Sequence, residues 1–476
     1  MATRIICSVA SMALAVLWCI LVAPHAPKAN GQTGAPRPNF VFILADDMRK
    51  SDLSYMPKTQ SVLKDRGMSF ENAYVSNALC CPSRSTIMRG QYAHNTGVWT
   101  NDDGTDGGWG GYKSNGNEEK NVGTRLNRAG YRTALIGKYL NGYENTTDVP
   151  AGWDTWFATF TFDYFDYDVN DNGTIRHFGT ADKDYVTDVL GRRTRQFIGS
   201  SAAQGKPFFA YVAPIAPHSP WTPAPRDEQA FDGEEAPRAP SFDEADVSDK
   251  PPWIQQLPQL SDRQKAEVDG RHERRVETLQ AVDDLVGGVV DKLRSSRQLG
   301  NTYIIFTSDN GVHQGEHRIK QGKARPYEED IRMPLLVRGP GVQAGSTTAK
   351  LALNTDYLPT FTDLADIKTP GYVDGRSLKP LLTGGAPTSW RTAFLLEARQ
   401  TKEGDSTPPL YGVSTIQGKK YIEYEDGSRE LYDLAADPYE LQNSYHDSPP
   451  PAELQARLEA LKGCPGDGCR KAEEAP

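Results

Sequence analysis

Four short apolar runs set the limits on what this chain can fold into. They are "NFVFILADDM" (Asn39–Met48), "YRTALIGKY" (Tyr131–Tyr139), "KPFFAYVAPIAPH" (Lys206–His218) and "NTYIIFTSDNG" (Asn301–Gly311). Each is rich in β-branched and aromatic residues, and each ends in polar ones. A run that is apolar at nearly every position has no face to offer water, which is the pattern of a strand covered on both sides. Helical patterns lie between the runs, among them "KTQSVLKDRG" and the long "RQKAEVDGRHERRVETLQAVDDLVGGVVDKLRSS". Strands alternating with helices predict an α/β fold with a large, mostly parallel central sheet flanked by helices.

After Pro370 the texture changes. "RTAFLLEA", "PLYGVSTIQ", "KKYIEYED" and "RELYDL" read as short strands joined by tight turns, with a helix near "PAELQARLEALKG". We expect a main domain over 38–370 and a smaller subdomain over 371–476, an antiparallel sheet packed on a helix. The stretch "GTDGGWGGYKSNGN" (Gly104–Asn117) reads as loop, too rich in glycine for a helix. The Pro- and acid-rich stretch Asp227–Pro258 reads as a long surface excursion.

The first 31 residues carry Arg4, an apolar run and then small and polar residues, the layout of a secretory signal. No other apolar run reaches the roughly 20 residues of a membrane helix, so no span is expected once the signal is removed. A net charge of −9 argues against nucleic acid as a partner. It leaves room for an acidic substrate in a local cationic pocket. Of the 6 cysteines, Cys7 and Cys19 leave with the signal. Cys464 and Cys469 in "CPGDGC" suit a local disulfide in an oxidising compartment. Cys80 and Cys81 remain, adjacent and without a partner.

Ligands of parallel sheets bind beyond the carboxyl ends of the strands. Those positions hold Asp46, Asp47, Lys138, His218, Asp309 and Asn310. The aspartates and Asn310 offer only oxygen, which suits a hard cation, Ca²⁺ or Mg²⁺, and the donors alone do not separate the two. Alone, "DD" is a helix cap and "SDNG" a turn; together, at the ends of two core strands, they read as a metal site. Arg84, Lys138 and Lys323, with His218, His313 and His317, would clamp a small tetrahedral anion.

The segment "CCPSR" resembles the signature of the sulfatases, a family of alkaline-phosphatase-like superfold. The rest follows in order from Pro38 to Cys469: the strand ending in Asp46 and Asp47, "TIMRGQYAHNTGV", "GKYLNGY", "APHSPW", "TSDNG" and "KARPYEEDIRMPLLVRGPG". The resemblance implies that Cys80 is oxidised to formylglycine by a formylglycine-generating enzyme. One hydroxyl of the hydrated aldehyde then attacks sulfur, and the second helps expel sulfate. It makes Asp46, Asp47, Asp309 and Asn310, with residue 80, the ligands of the metal. Arg84 would hold the hydrated aldehyde and the metal-site aspartates. Lys138, His218 and Lys323 would contact the sulfate, His218 or Lys323 protonating the leaving oxygen. Cys81 is the variable position of the signature, a small buried residue. One position departs from many arylsulfatases: the histidine two residues after the strand-end lysine is here Leu140. His313 or His317 in "NGVHQGEHR" could supply the missing base.

Within the family, "CCPSR", "GKYLNGY", "APHSPWTPAP" and "LYDLAADPYELQN" look most like the N-acetylglucosamine-6-sulfatase branch of glycosaminoglycan degradation. The resemblance implies a secreted or periplasmic enzyme (lysosomal in a eukaryotic host) that hydrolyses the 6-O-sulfate of N-acetylglucosamine-type sugars. Three alternatives stay open: an arylsulfatase of broad specificity, a phosphate mono- or diesterase of the same superfold, and an inactive carbohydrate-binding paralogue if Cys80 stays a thiol.

Overall fold

Each of the four apolar runs forms a strand: Asn39–Ala45, Arg132–Lys138, Phe208–Ala213 and Thr302–Ser308. The computed structural model describes residues 37–399, 407–447 and 449–475. The leader 1–31, with Cys7 and Cys19, lies outside the described residues. The four strands and Thr155–Thr159 run parallel at the centre of a ten-stranded sheet. Beyond Thr302–Ser308 lie Leu335–Arg338, Met68–Phe70 and Ser346–Thr348; beyond Thr155–Thr159 lie Tyr167–Asp171 and Thr174–Phe178. Leu335–Arg338 and Tyr167–Asp171 run antiparallel to their inner neighbours.

Side chains alternate across the first strand, and both faces are covered. Phe40, Phe42 and Leu44 pack with Ile87 and Met88 of helix Cys80–Arg89 and with Leu358 and Phe361 of helix Tyr357–Leu364. Val41, Ile43 and Ala45 pack with Val189 and Leu190 of helix Val186–Ala203 and with Val282 and Val286 of helix Asp262–Ser295. That is why the run shows no polar alternation. The long helix starts at a capping box, Ser261 accepting from the Gln264 backbone and Gln264 returning the bond.

The C-terminal strands are Ala393–Ala398, Leu410–Thr415, Lys419–Tyr424 and Arg429–Asp433, an antiparallel four-stranded sheet. Leu454, Leu458 and Leu461 of helix Ala452–Leu461 share its core. Cys464 and Cys469 form the expected disulfide. His94 ties this end of the chain to the main sheet's helices. Its Nδ1 lies 2.9 Å from Glu397 Oε2 and its Nε2 lies 2.9 Å from the Cys464 carbonyl. Burial works against its charge, but Glu397 and the carbonyl outweigh it and raise its pKa to about 9. A pKa raised on folding stabilises fully below the unfolded value, here 6.5, and that contribution fades as pH rises through about 9. The melting temperature of the parent is therefore expected to fall toward that of His94→Gln between pH 7 and 10. A gap that stays constant over that range would count against the pairing.

Two sequence expectations are corrected. The glycine-rich stretch contains a helix, Gly108–Ser114. Each glycine costs such a helix about 1 kcal/mol against alanine, but tertiary contacts outweigh propensity here. Tyr112 is fully buried, and the Trp109 indole donates to Glu118 at 2.6 Å. The Gly110 backbone N–H donates to Asp103 Oδ1, and a Cβ at that position would stand 2.6 Å from that oxygen and displace the Asp103 side chain. The excursion Asp227–Pro258 is not wholly a surface feature either. Ser241, Glu244, Val247, Lys250 and Trp253 are buried, and Lys250 donates to the Leu441 carbonyl at 2.6 Å.

Candidate active site

Strand register assembles the site. Ala45 pairs with Ser308, so Asp46 stands beside Asp309. Ile43 and Ile136 both pair with Val212, which brings Lys138 level with Ala45. Gly137 allows this close approach: its φ is +115°, and a Cβ there would meet the Ala213 carbonyl oxygen at 2.1 Å. Helix Cys80–Arg89 begins at the same edge, with Cys80 as its first residue and Arg84 one turn on.

The contacts are dense. Asp46 Oδ2 lies 2.5 Å from Lys138 Nζ and 3.7 Å from Arg84 Nη2, and its Oδ1 lies 3.3 Å from Cys80 Sγ. Asp47 Oδ1 accepts from Lys323 Nζ at 2.5 Å and from Asn310 Nδ2 at 2.6 Å. Asp309 Oδ2 accepts from Arg84 Nε at 2.7 Å. Lys323 Nζ also reaches Cys80 Sγ at 2.7 Å. Asp47 sits in the left-handed region with φ 65°. An aspartate held there stores backbone strain, and its surroundings fix it. Arg275 donates to the Asp47 carbonyl at 2.8 Å, and the Met48 N–H donates to Ser308 Oγ at 2.9 Å.

Opposed charges decide the protonation states. Burial disfavours ionised Asp46, but Lys138, His218, Arg84 and Lys323 outweigh it and hold its carboxyl well below the ordinary range. Asp309 goes the other way, burial and the Asp46 charge raising it to about 6 against Arg84. Burial, reinforced by Asp46, pushes the Cys80 thiol up to about 12, so an unmodified thiol here is no thiolate. Burial opposes the Lys323 ammonium, yet Asp47 and its neighbours hold its pKa far above the ordinary value.

The donor set fits a hard divalent cation. Oxygens of Asp46, Asp47 and Asp309 lie within 4.8 Å of one another. Asn310 spends its Nδ2 on Asp47 and the Gly311 carbonyl, which leaves its Oδ1 buried and without a partner. An orphaned carbonyl oxygen beside three carboxylates is a ligand in search of a cation.

The three histidines differ. His218 Nδ1 faces the Ser219 carbonyl at 2.8 Å, the ring stacks on Phe162 at 4.4 Å, and Nε2 points toward Asp47 at 3.7 Å. His313 Nδ1 bonds Asp330 at 2.7 Å, and its Nε2 is buried without a partner. A cavity of roughly 120 Å³ is lined by Asp47, His218, Trp221, Arg271, His313 and Lys323. His317 does not line it; Glu244 holds its Nδ1 at 2.7 Å and Tyr327 covers the ring. Leu140 packs in the apolar core and Cys81 is buried, as the signature implies.

The sulfatase family model matches residues 38–367. The chain belongs to the sulfatase family. A second family model, N-sulphoglucosamine sulphohydrolase, C-terminal, matches residues 315–462. The N-acetylglucosamine-6-sulfatase of Capra hircus is 34% identical over 92% of this chain and 85% of its own length. The putative extracellular sulfatase Sulf-1 homolog of Caenorhabditis elegans is 37% identical over 75% of this chain. This chain spans only 52% of that relative. Among solved structures, a protein in complex with its substrate D-glucosamine-2-N,6-O-disulfate superposes with a TM-score of 0.76. It is 25% identical and covers 92% of this chain and 99% of its own. Sulfatases generally use a formylglycine and a divalent metal, in keeping with Cys80 beside the acidic trio.

Several residues around this site carried no signal in the sequence. Phe162 stacks on His218 and lies 4.6 Å from Lys138 Nζ, yet its segment has no motif. Asp330, Arg275 and Ser308 act through other side chains and backbone, and only their contacts identify them.

Proposed function

We propose that this chain hydrolyses sulfate esters, with the 6-O-sulfate of N-acetylglucosamine-type sugars as its substrate class. The placement of Cys80 carries the reading, a fully buried helix-start residue between Asp46 and Lys323. The N-acetylglucosamine-6-sulfatases among its relatives and the glucosamine disulfate complex support the sugar. In our reading Asp46, Asp47, Asp309 and Asn310 hold calcium, with magnesium compatible with the same oxygens. A formylglycine at position 80 would supply a hydrated aldehyde as nucleophile, and the cation would polarise the sulfate.

The chain's own residues do the rest. Three carboxylates face three fixed cations, Arg84, Lys138 and Lys323, so a divalent ion brings net positive charge that an anionic ester balances. Lys138 and Lys323 rest on Asp46 and Asp47, and a cation held by those carboxylates would leave both ammonium groups free to bond the ester's oxygens. His218 and Lys323 both face the cavity beside Asp47, where the leaving oxygen takes its proton. His313 is assigned as the base: Asp330 fixes Nδ1, which leaves Nε2 to accept a proton, and Leu140 cannot. His313→Gln is expected to lower kcat by about 10²-fold with little change in KM. An unchanged kcat would remove His313 from the reaction.

A modifying enzyme must reach Cys80 before folding, because the folded chain covers it completely. The leader of residues 1–31, the Cys464–Cys469 disulfide and the extracellular relative support an exported protein. The test is mass spectrometry of the tryptic peptide spanning Cys80, with sulfate release from a panel of sulfated sugars, aryl sulfates and phosphate esters. We expect an aldehyde at position 80 and fastest release from 6-O-sulfated glucosamine sugars. A thiol in protein from the native host, or preferred phosphate release, would overturn the proposal.

A further inference from the structure

We propose that Arg271 and Lys320 form an anion subsite in the wall of the cavity beside Lys323. It takes a second anionic group of the substrate, a sulfate or carboxylate other than the ester that is cleaved. The inference rests on the sulfate-ester reading and adds to it a preference for sugars that carry two charges. Both residues line the cavity that also holds Asp47, His218 and Lys323, so one small molecule there meets both sets of groups.

Charge balance singles the two residues out. Lys323 faces Asp47 at 2.5 Å, and Arg275 is spent on Asp52 at 2.9 Å and on the Asp47 carbonyl at 2.8 Å. Arg271 and Lys320 are left over, since among the described residues neither forms an ion pair. Glu267, one turn before Arg271 on helix Asp262–Ser295, is held by Arg263 at 3.1 Å. Burial lowers the Arg271 pKa, and Arg274 adds to that against the pull of Glu267. Two cations without carboxylates make this cavity locally positive in a chain of net charge −9, and such a field draws an anion.

The geometry readies Arg271 for that ligand. Its Nη1 donates to Gln321 Oε1 at 3.3 Å, and its Nη2 donates to the Lys320 carbonyl at 3.0 Å. These bonds fix the planar guanidinium at the cavity and leave other N–H donors of its fork for an oxyanion, the partner that fork matches best. The same loop is tied to the base, because the His313 N–H donates to the Gly322 carbonyl at 2.8 Å. Lys323 follows directly. The subsite and the group that contacts the ester are therefore carried on one fixed loop.

The test compares three substrates that share a 6-O-sulfate: N-acetylglucosamine 6-sulfate, glucosamine 2-N,6-O-disulfate, and a disaccharide of N-acetylglucosamine 6-sulfate with a uronic acid. For at least one doubly charged sugar the parent should show a kcat/KM about 10- to 100-fold above that for the singly charged one, the scale of charge-assisted hydrogen bonds. Which of the two is preferred tells a substituent of the same ring from a carboxylate on its neighbour. In Arg271→Gln that ratio should fall toward one, with the loss in KM and not in kcat, as for binding shared by ground and transition states. Lys320→Gln, at an exposed position, should lose part of the ratio and decides the matter should the first variant misfold. Arg274→Gln removes the same charge from the same helix outside the cavity and should keep the parent's ratio. Equal losses on all three substrates in Arg271→Gln would make it a support of the Lys323 loop alone and overturn the proposal, as would an unchanged ratio in both variants. A parent that hydrolyses all three alike would also overturn it and leave the sulfatase reading standing. A parent that releases sulfate from none of them would overturn that reading, and this inference with it.

Discussion

The Cys80→Ser chain is expected to fold like the parent and to lose turnover of sulfate esters by about 10⁴-fold or more, the scale on which a missing nucleophile is felt. Serine replaces one buried atom by a slightly smaller one at the start of helix Cys80–Arg89, where Cys80 is fully enclosed. The hydroxyl would still meet Asp46 and Lys323, so packing and charge balance survive. What disappears is the thiol on Cβ, the group whose oxidation would turn that carbon into the aldehyde. Circular dichroism and calcium binding should match the parent while turnover vanishes. Retained turnover with that spectrum would place the nucleophile elsewhere.

The second large effect is on stability. Arg84→Met is expected to cost about 3–5 kcal/mol, the scale of breaking a buried ion pair by removing one partner. Arg84 and both its carboxylates are fully covered, with Nε on Asp309 at 2.7 Å and Nη1 on the Lys138 carbonyl at 3.1 Å. Without the guanidinium, Asp46 and Asp309 repel each other in a dry site, and the already raised Asp309 rises further. A divalent ion supplies the lost charge, so calcium should stabilise the variant more than the parent. Urea unfolding with and without calcium measures both. A loss under about 1 kcal/mol, the worth of an exposed pair, would show that Arg84 is not holding the carboxylates together.

The strands and their terminal residues were legible because apolar continuity and donor type are local properties. "NFVFILADDM" announces both a strand covered on two faces and two carboxylates at its end. The parallel order of the sheet, the antiparallel C-terminal strands and the Cys464–Cys469 bond followed the pattern as read. The helix Gly108–Ser114 did not, because its stability comes from burying Tyr112 and bonding Trp109, not from propensity.

By itself, then, the sequence determined the strand ends that gather oxygen donors and cations, and the signature that places Cys80 among them. Only the tertiary structure separated His313 from His317, two residues with the same bland surroundings in sequence. Asp330 turns one toward the cavity, and Glu244, 73 positions away, turns the other from it. Only the tertiary structure left Asn310 Oδ1 without a partner. The physical reason is range. A residue's type and its neighbours along the chain fix its propensity and charge, but its partner depends on which distant segment the packing of sheet and helices brings alongside.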